Sequence, residues 1–368
     1  MPRLTATGRT VLPWYGERVN YTPATLGVNW PWQNVSGSES VNYLAGGYNS
    51  GSIEAALAAV AGWGVKVIRA WTPLESVMSW NGSAFAMNST NAGNLDDFLT
   101  RCASHGLKVV AVMGDGKSDS GYTSLDGKFR WTFVTGSDAA YLTALQAYLT
   151  RFTAHPNIVM WELQNEPYAN LTFSANAIAS GATQAQTHTF LKACYTAAKS
   201  LTGSTLVGFS DYEEEQQAEY QMFSSSSNRQ TLVDDCTDVY SMHIYRADQS
   251  QVADFRTLTS KPLWCSELGS YNYYDPTASG HPIIAYDELA SDGPNGISGL
   301  SNPFSTRSIG AKLINSGFSM VMPWAYSDNP GFVLNALDGT ILPGSLPVWM
   351  KAQFTSSRSA ASGRGAVP

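Results

Sequence analysis

The run Met160-Trp161-Glu162-Leu163-Gln164-Asn165-Glu166-Pro167-Tyr168 sets an amide beside a carboxyl where a strand has to stop. It follows Asn157-Ile158-Val159, an apolar β-rich stretch of the kind found in strands buried on both faces. Pro167 ends the run, because it removes a backbone donor and restricts the residue before it. Asn165 and Glu166 are therefore offered at a strand end. A second run, Pro262–Glu267, closes on another carboxyl. Two carboxyls are what cleavage of a glycosidic bond requires. One gives a proton to the leaving oxygen and the other acts at the anomeric carbon. At a separation of about 5–5.5 Å the second is a nucleophile and configuration is retained.

Other strand-like runs end on polar or aromatic groups. Asn29 and Trp30 close the first, Arg69 and Trp71 the second, and Asp115 follows the third. His243 and Tyr245 close the sixth, and Trp324 the eighth. Strand side chains alternate, so Arg69 and Trp71 share a face, as do His243 and Tyr245. Sugars present flat C–H faces, which Trp rings can cover. We assign Glu166 as acid/base, which must enter each cycle protonated, and Glu267 as nucleophile. Asn165 would bond the sugar 2-hydroxyl. Arg69 and Tyr245 would favour a carboxylate at Glu267, through positive charge and a donated hydrogen bond.

The elements that must position these residues alternate along the chain. Strands are expected at Thr25–Trp30, Val65–Trp71, Leu107–Met113, Asn157–Glu166, Thr205–Ser210, Asp238–Tyr245, Pro262–Glu267 and Phe318–Trp324. Helices are expected at Ile53–Gly62, Leu95–His105, Asp138–Phe152, Gln184–Ser200, Glu213–Phe223, Gln249–Leu258 and Thr306–Ser316. Eight strands alternating with helices imply an α/β fold, one (β/α)8 barrel whose site lies where the strands end. That domain would span 1–355, with an irregular N-terminal wrap over 1–23 and long loops at Pro31–Ser50 and Gly269–Pro303. Ser356–Pro368, rich in Ser, Ala and Gly, reads as a flexible tail or linker remnant.

Composition narrows the function. The 368 residues carry a net charge of −7, which argues against a nucleic-acid partner. Only 14% are charged, while 12% are aromatic, so the charged groups gathered at strand ends stand out. No apolar run reaches membrane-spanning length. The first residues lack a signal-peptide pattern, so we expect a secreted protein whose leader is not in this sequence, with a cytoplasmic one as the alternative. Cys102, Cys194, Cys236 and Cys265 form no CxxC pair; one or two disulfides are compatible with them. No His/Asp cluster shows metal-ligand spacing, so we expect no metal and no cofactor. We expect a monomer.

The segment Trp161-Glu162-Leu163-Gln164-Asn165-Glu166-Pro167 resembles the strand-four signature of clan A glycoside hydrolases, above all family 5. The rest follows in order: Arg69, His243-Ile244-Tyr245, Glu267-Leu268-Gly269 and Pro323-Trp324. The resemblance covers about residues 24–330. It implies a retaining β-glycosidase of the cellulase and mannanase kind, with Glu166 and Glu267 in the roles above and Trp324 under the sugar. The chain departs from it after strand three, where many members carry a His and this one reads Met113-Gly114-Asp115-Gly116.

Plainer readings compete. Glu162 lies about 13 Å below Glu166 along the strand and reads as a buried structural carboxyl. Arg69 could serve a core carboxylate, and His243 could be a satisfied core histidine. Trp30, Trp32, Trp71 and Trp131 are each more expected as packing than as sugar platforms, with at least one of the four expected to be a platform. Asp211 and Tyr212 are weaker site candidates, and Glu213-Glu214-Glu215 reads as a solvated helix start. Three functions remain: an endo-acting β-glycanase on β-mannan or β-1,4-glucan, an exo-acting β-glycosidase or transglycosylase, and a sugar-binding barrel without catalysis. The presence of both carboxyls disfavours the last.

Overall fold

A computed structural model of the chain describes residues 3–4, 9–11, 18–20, 25–30, 44, 47–62, 65–80, 85–114, 138–173, 181–213, 221–244, 260–268 and 318–323. Eight parallel strands close into a barrel. They are β1 Thr25–Trp30, β2 Val67–Trp71, β3 Lys108–Val112, β4 Ile158–Asn165, β5 Leu206–Tyr212, β6 Tyr240–Ile244, β7 Leu263–Leu268 and β8 Met320–Pro323. Each pairs with the next in sequence, and β8 closes onto β1. The eight expected strands match these within about two residues at each end.

Helices α1 Ser50–Gly62, α2 Ser89–Ser104, α3 Asp138–Phe152 and α4 Gln184–Thr202 pack outside. Helix α2 starts six residues earlier than expected because Asn88 caps it, accepting from the N–H groups of Thr90 and Asn91. Thr183 and Gln186 form a reciprocal cap at the start of α4. A short helix, Leu74–Val77, leads into an antiparallel pair, Met78–Trp80 with Phe85–Met87, that no sequence pattern announced. The N-terminal wrap, expected to be irregular, contains three short antiparallel strands at Arg3–Leu4, Arg9–Val11 and Arg18–Asn20. The expected helices at 249–258 and 306–316, the tail, most of the loop Pro31–Ser50 and all of the loop Gly269–Pro303 lie outside the described residues.

Strand alternation divides the core in two. Outward residues such as Ile68, Ala111, Trp161, Phe209 and Met242 join one large cluster with Leu57, Leu99, Leu145 and Leu191 of the helices. Inside the barrel, Val67, Val110, Met160, Val239, Trp264, Met320 and Met322 form a separate apolar plug. Above it sits a polar layer of Asn29, Arg69, Glu162, Ser210 and Ser266, all fully buried. All four cysteines are buried free thiols, so the disulfides that the sequence allowed are absent.

Glu213 corrects another expectation. It is not a solvated helix start: it is buried just past β5 and bridges antiparallel to Gln221, which a turn at Met222 and Phe223 follows. Its carboxylate accepts from the N–H groups of Phe223 (2.9 Å) and Ser224 (3.0 Å). Burial raises its pKa to about 7, against the pull of those donors. The folded form thus holds a proton that the unfolded chain releases earlier. Stability from this group is full below the unfolded pKa of about 4.5 and is lost as pH rises to about 7 and beyond. Relative to Glu213→Gln, wild type should lose about 3 kcal/mol between pH 4.5 and 8. Denaturant unfolding of both proteins across that range checks this; a constant difference would contradict it.

Candidate active site

Arg69 organises the barrel mouth. Its Nε donates to Glu162 Oε2 (2.8 Å), and its NH2 group pairs closely with Glu162 Oε1. NH1 donates to Asn29 Oδ1 (2.9 Å) and Glu267 Oε1 (2.6 Å). NH2 also donates to Asn165 Oδ1 (2.7 Å) and Ser210 Oγ (3.0 Å), and the Ser210 hydroxyl bonds Glu162. One guanidinium thus joins β1, β2, β4, β5 and β7. Burial works to lower the Arg69 pKa, but the Glu162 and Glu267 carboxylates outweigh it and raise it. The plug beneath excludes water, so Glu162 acts as the fixed counter-charge that lets Arg69 exist at this depth.

Two of these contacts need the alternation to break. Between Met242↔Cys265 and His243↔Glu267, β7 advances two residues while β6 advances one. Strict alternation would place Glu267 on the outer face with Cys265. The extra residue turns it inward, onto Arg69. Between Gly208↔Glu162 and Ser210↔Asn165, β4 gains one residue over β5. Asn165 then turns in, while Gln164 points out, donating to Tyr141 of α3 (3.3 Å). The Gln164 side chain also lies against Gly114, where an added Cβ would come within 2.4 Å of it. That close approach is a physical reason for Met113-Gly114 in place of a bulkier residue.

Glu166 follows β4 with φ 49, the one positive φ at a non-glycine among the described residues. It is 5% exposed, and Glu267 is 4% exposed. His243 stands between them: Nδ1 is 2.7 Å from Glu166 Oε1, and Nε2 is 3.5 Å from Glu267 Oε1. The facing atoms of these three side chains lie within 4.8 Å of one another. One oxygen of Glu166 thus comes within 4.8 Å of one oxygen of Glu267, an approach compatible with carboxyls about 5–5.5 Å apart.

The remaining sequence candidates divide. Asn29 bonds Arg69 and the Ser266 carbonyl (2.7 Å), so it braces the network. Trp71 is 3% exposed and lies under the Arg69 guanidinium, 5.5 Å from its ring centre, as packing. Asp115, Tyr245, Trp324 and the side chain of Trp30 lie outside the described residues, as do Trp32 and Trp131. Ser210, a further member of the network, closes the expected strand Thr205–Ser210 and lies two residues inside the end of β5. Asp211 is fully buried and accepts from the backbone of Tyr168 and Ala169.

Folding gathers two groups with metal-ligand composition that linear spacing did not show: Glu166, His243, Glu267 and His188, Asp235, Cys236. Each has a cation already at its carboxylate. Arg69 is 2.6 Å from Glu267, and Lys192 is 2.6 Å from Asp235. Among the described residues no helix is long and apolar enough to cross a membrane.

The model of the family Cellulase (glycosyl hydrolase family 5) matches residues 27–272. Comparison with curated proteins gives no match. Among solved structures the chain is similar to the exo-β-1,4-mannosidase Op5Man5 from Opitutaceae bacterium strain TAV5, with TM-score 0.65, 14% identity and 97% of this chain covered. It spans 63% of that protein. It is also similar to GH5_18 from Streptomyces cattleya in complex with GlcNAc, with TM-score 0.62, 16% identity, and 94% and 82% of the two chains covered. A β-mannanase from the blue mussel Mytilus edulis gives TM-score 0.55, 14% identity and 95% of each chain. At these identities the likeness is one of fold.

Proposed function

The chain belongs to glycosyl hydrolase family 5, and on that premise we propose a retaining endo-β-glycanase that cuts β-1,4-linked mannan or glucan by double displacement. The observation that carries the reading is that one carboxylate oxygen of Glu166 and one of Glu267 lie within 4.8 Å of each other beside His243. Glu267 attacks the anomeric carbon while Glu166 gives its proton to the leaving oxygen. Glu166 then takes a proton from the water that releases the sugar. Arg69 holds Glu267 in line. Its one positive charge faces two carboxylates, which leaves net negative charge to steady the cationic transition state. Asn165, gripped through Oδ1 by Arg69, meets the 2-hydroxyl. From their places in the sequence, just past β6 and β8, Tyr245 is assigned to Glu267 and Trp324 to the flat face of the sugar.

Three experiments test this. A polysaccharide panel (mannan, glucomannan, carboxymethylcellulose, β-1,3-glucan, xylan) with product sizing reads substrate and mode of attack. Oligomers of mixed length support endo action, and release of one sugar from a chain end supports exo action. NMR of the first-formed anomer reads stereochemistry, and an α product from a β bond would sink the double displacement. Glu166→Ala should lower kcat/KM on poor leaving groups by about 10²–10⁴-fold and on 2,4-dinitrophenyl glycosides far less.

A further inference from the structure

We propose that Asp211 is a positioning residue for the acid/base, holding the turn that follows Glu166 so that its carboxyl points at the leaving oxygen. The inference rests on the assignment of Glu166 made above. Asp211 is the penultimate residue of β5 and has no exposed surface. Its Oδ2 accepts from Tyr168 N (2.7 Å), and its Oδ1 accepts from Ala169 N (3.0 Å) and Tyr212 N (2.8 Å). Tyr168 and Ala169 form the turn directly beyond Glu166-Pro167. On the near side, Glu166 N donates to the Ser210 carbonyl (2.7 Å). On the far side, Asn170 N donates to the Glu166 carbonyl (3.0 Å), and Asn170 Nδ2 to the Asn165 carbonyl (3.3 Å). Ser210 and Asp211, adjacent on β5, therefore clamp Glu166 from before and behind.

The clamp has work to do. Glu166 sits at φ 49, where an L side chain crowds its own backbone at a cost of roughly 1–2 kcal/mol. Such a conformation lasts only where the surroundings over-determine it. Without the Asp211 carboxylate, three buried N–H groups, two of them in the turn, lose their acceptor and the turn can relax. A shift of about 1 Å in the proton donor can lower the rate about 10²-fold. Burial, opposed by the three N–H donors and helped by the charge of Glu166, holds the Asp211 carboxyl well above the usual range. With its oxygens on the main chain, Asp211 acts through Glu166 and not on the sugar.

The test is Asp211→Asn, which keeps the volume and removes one acceptor oxygen. It is assayed on aryl β-glycosides, of the sugar the panel identifies, with leaving groups graded from 2,4-dinitrophenol to phenol. We expect kcat/KM to fall about 10–100-fold for the phenyl glycoside and to stay within about threefold for the dinitrophenyl one, which leaves without a proton. On the dinitrophenyl glycoside, kcat and KM should fall together as the glycosyl-enzyme accumulates, and azide should restore kcat. In a Glu166→Ala background the same substitution should change the phenyl rate by less than about threefold. An equal fall for both leaving groups, no fall for either, or the same factor in both backgrounds overturns the inference. If Glu166→Ala alone fails to separate the leaving groups, the acid/base assignment falls first. Asp211→Ser, with space for a water to accept the same N–H groups, is read the same way should Asp211→Asn not fold.

Discussion

Glu267→Ala is expected to lower hydrolysis of the preferred substrate by roughly 10⁴-fold or more, because the first covalent bond of the reaction can no longer form. The fold should survive. Arg69 keeps its two-pronged pairing with Glu162, so no charge is stranded. The space vacated lies within 4.8 Å of His243 and Glu166, room for a small anion on the face opposite the leaving group. Added azide should therefore restore cleavage of an activated glycoside and give the α-glycosyl azide, inverted at the anomeric carbon. Rate measurements with product NMR check both parts. Turnover within tenfold of wild type, or a β azide, would remove Glu267 from the role of nucleophile.

Arg69→Met is expected to have the largest effect on stability. The side chain is fully buried and donates to five residues on four other strands. Its loss leaves Glu162 and Glu267 as buried carboxylates facing one another, at a cost of about 3–5 kcal/mol. For a chain of this size that is a Tm lower by about 10 °C. Activity should vanish with it. Arg69→Met with Glu162→Met should regain much of the Tm, since an apolar pair can replace a buried ion pair. Activity should stay absent, because Glu267 still lacks its guanidinium. Calorimetry on the single and double variants separates stability from catalysis. A single variant with wild-type Tm would show that the network carries no such burden.

Much of this was legible in linear order. Every barrel strand could be read from an apolar run bounded by Gly, Pro or a helix pattern, because a strand buried on both faces has little room for polar residues. Glu166 could be found because Pro167 ends its strand, and Glu267 because it closes the same kind of run. Glu213 departs from its sequence pattern for a physical reason. Three adjacent acids look solvated, yet the first is drawn inward by two N–H groups ten and eleven residues away. The start of α2 was missed because Asn88 lies among Asn, Ser and Thr residues that look like loop. The antiparallel pair at 78–87 carries too few residues to show a period.

By itself the sequence determined the barrel, the strand ends and the residue types that meet there, since hydrophobic periodicity and chain stops are local properties. What it left undetermined was which way two of those residues face. One inserted residue reverses every side chain beyond it. Two such insertions, in β4 and β7, turn Asn165 and Glu267 inward, and neither leaves a mark in composition. Only closure of the barrel, with Arg69 reaching across it to Glu162, Glu267 and Asn165, selects that register, because a buried guanidinium is stable only where its partners converge on it.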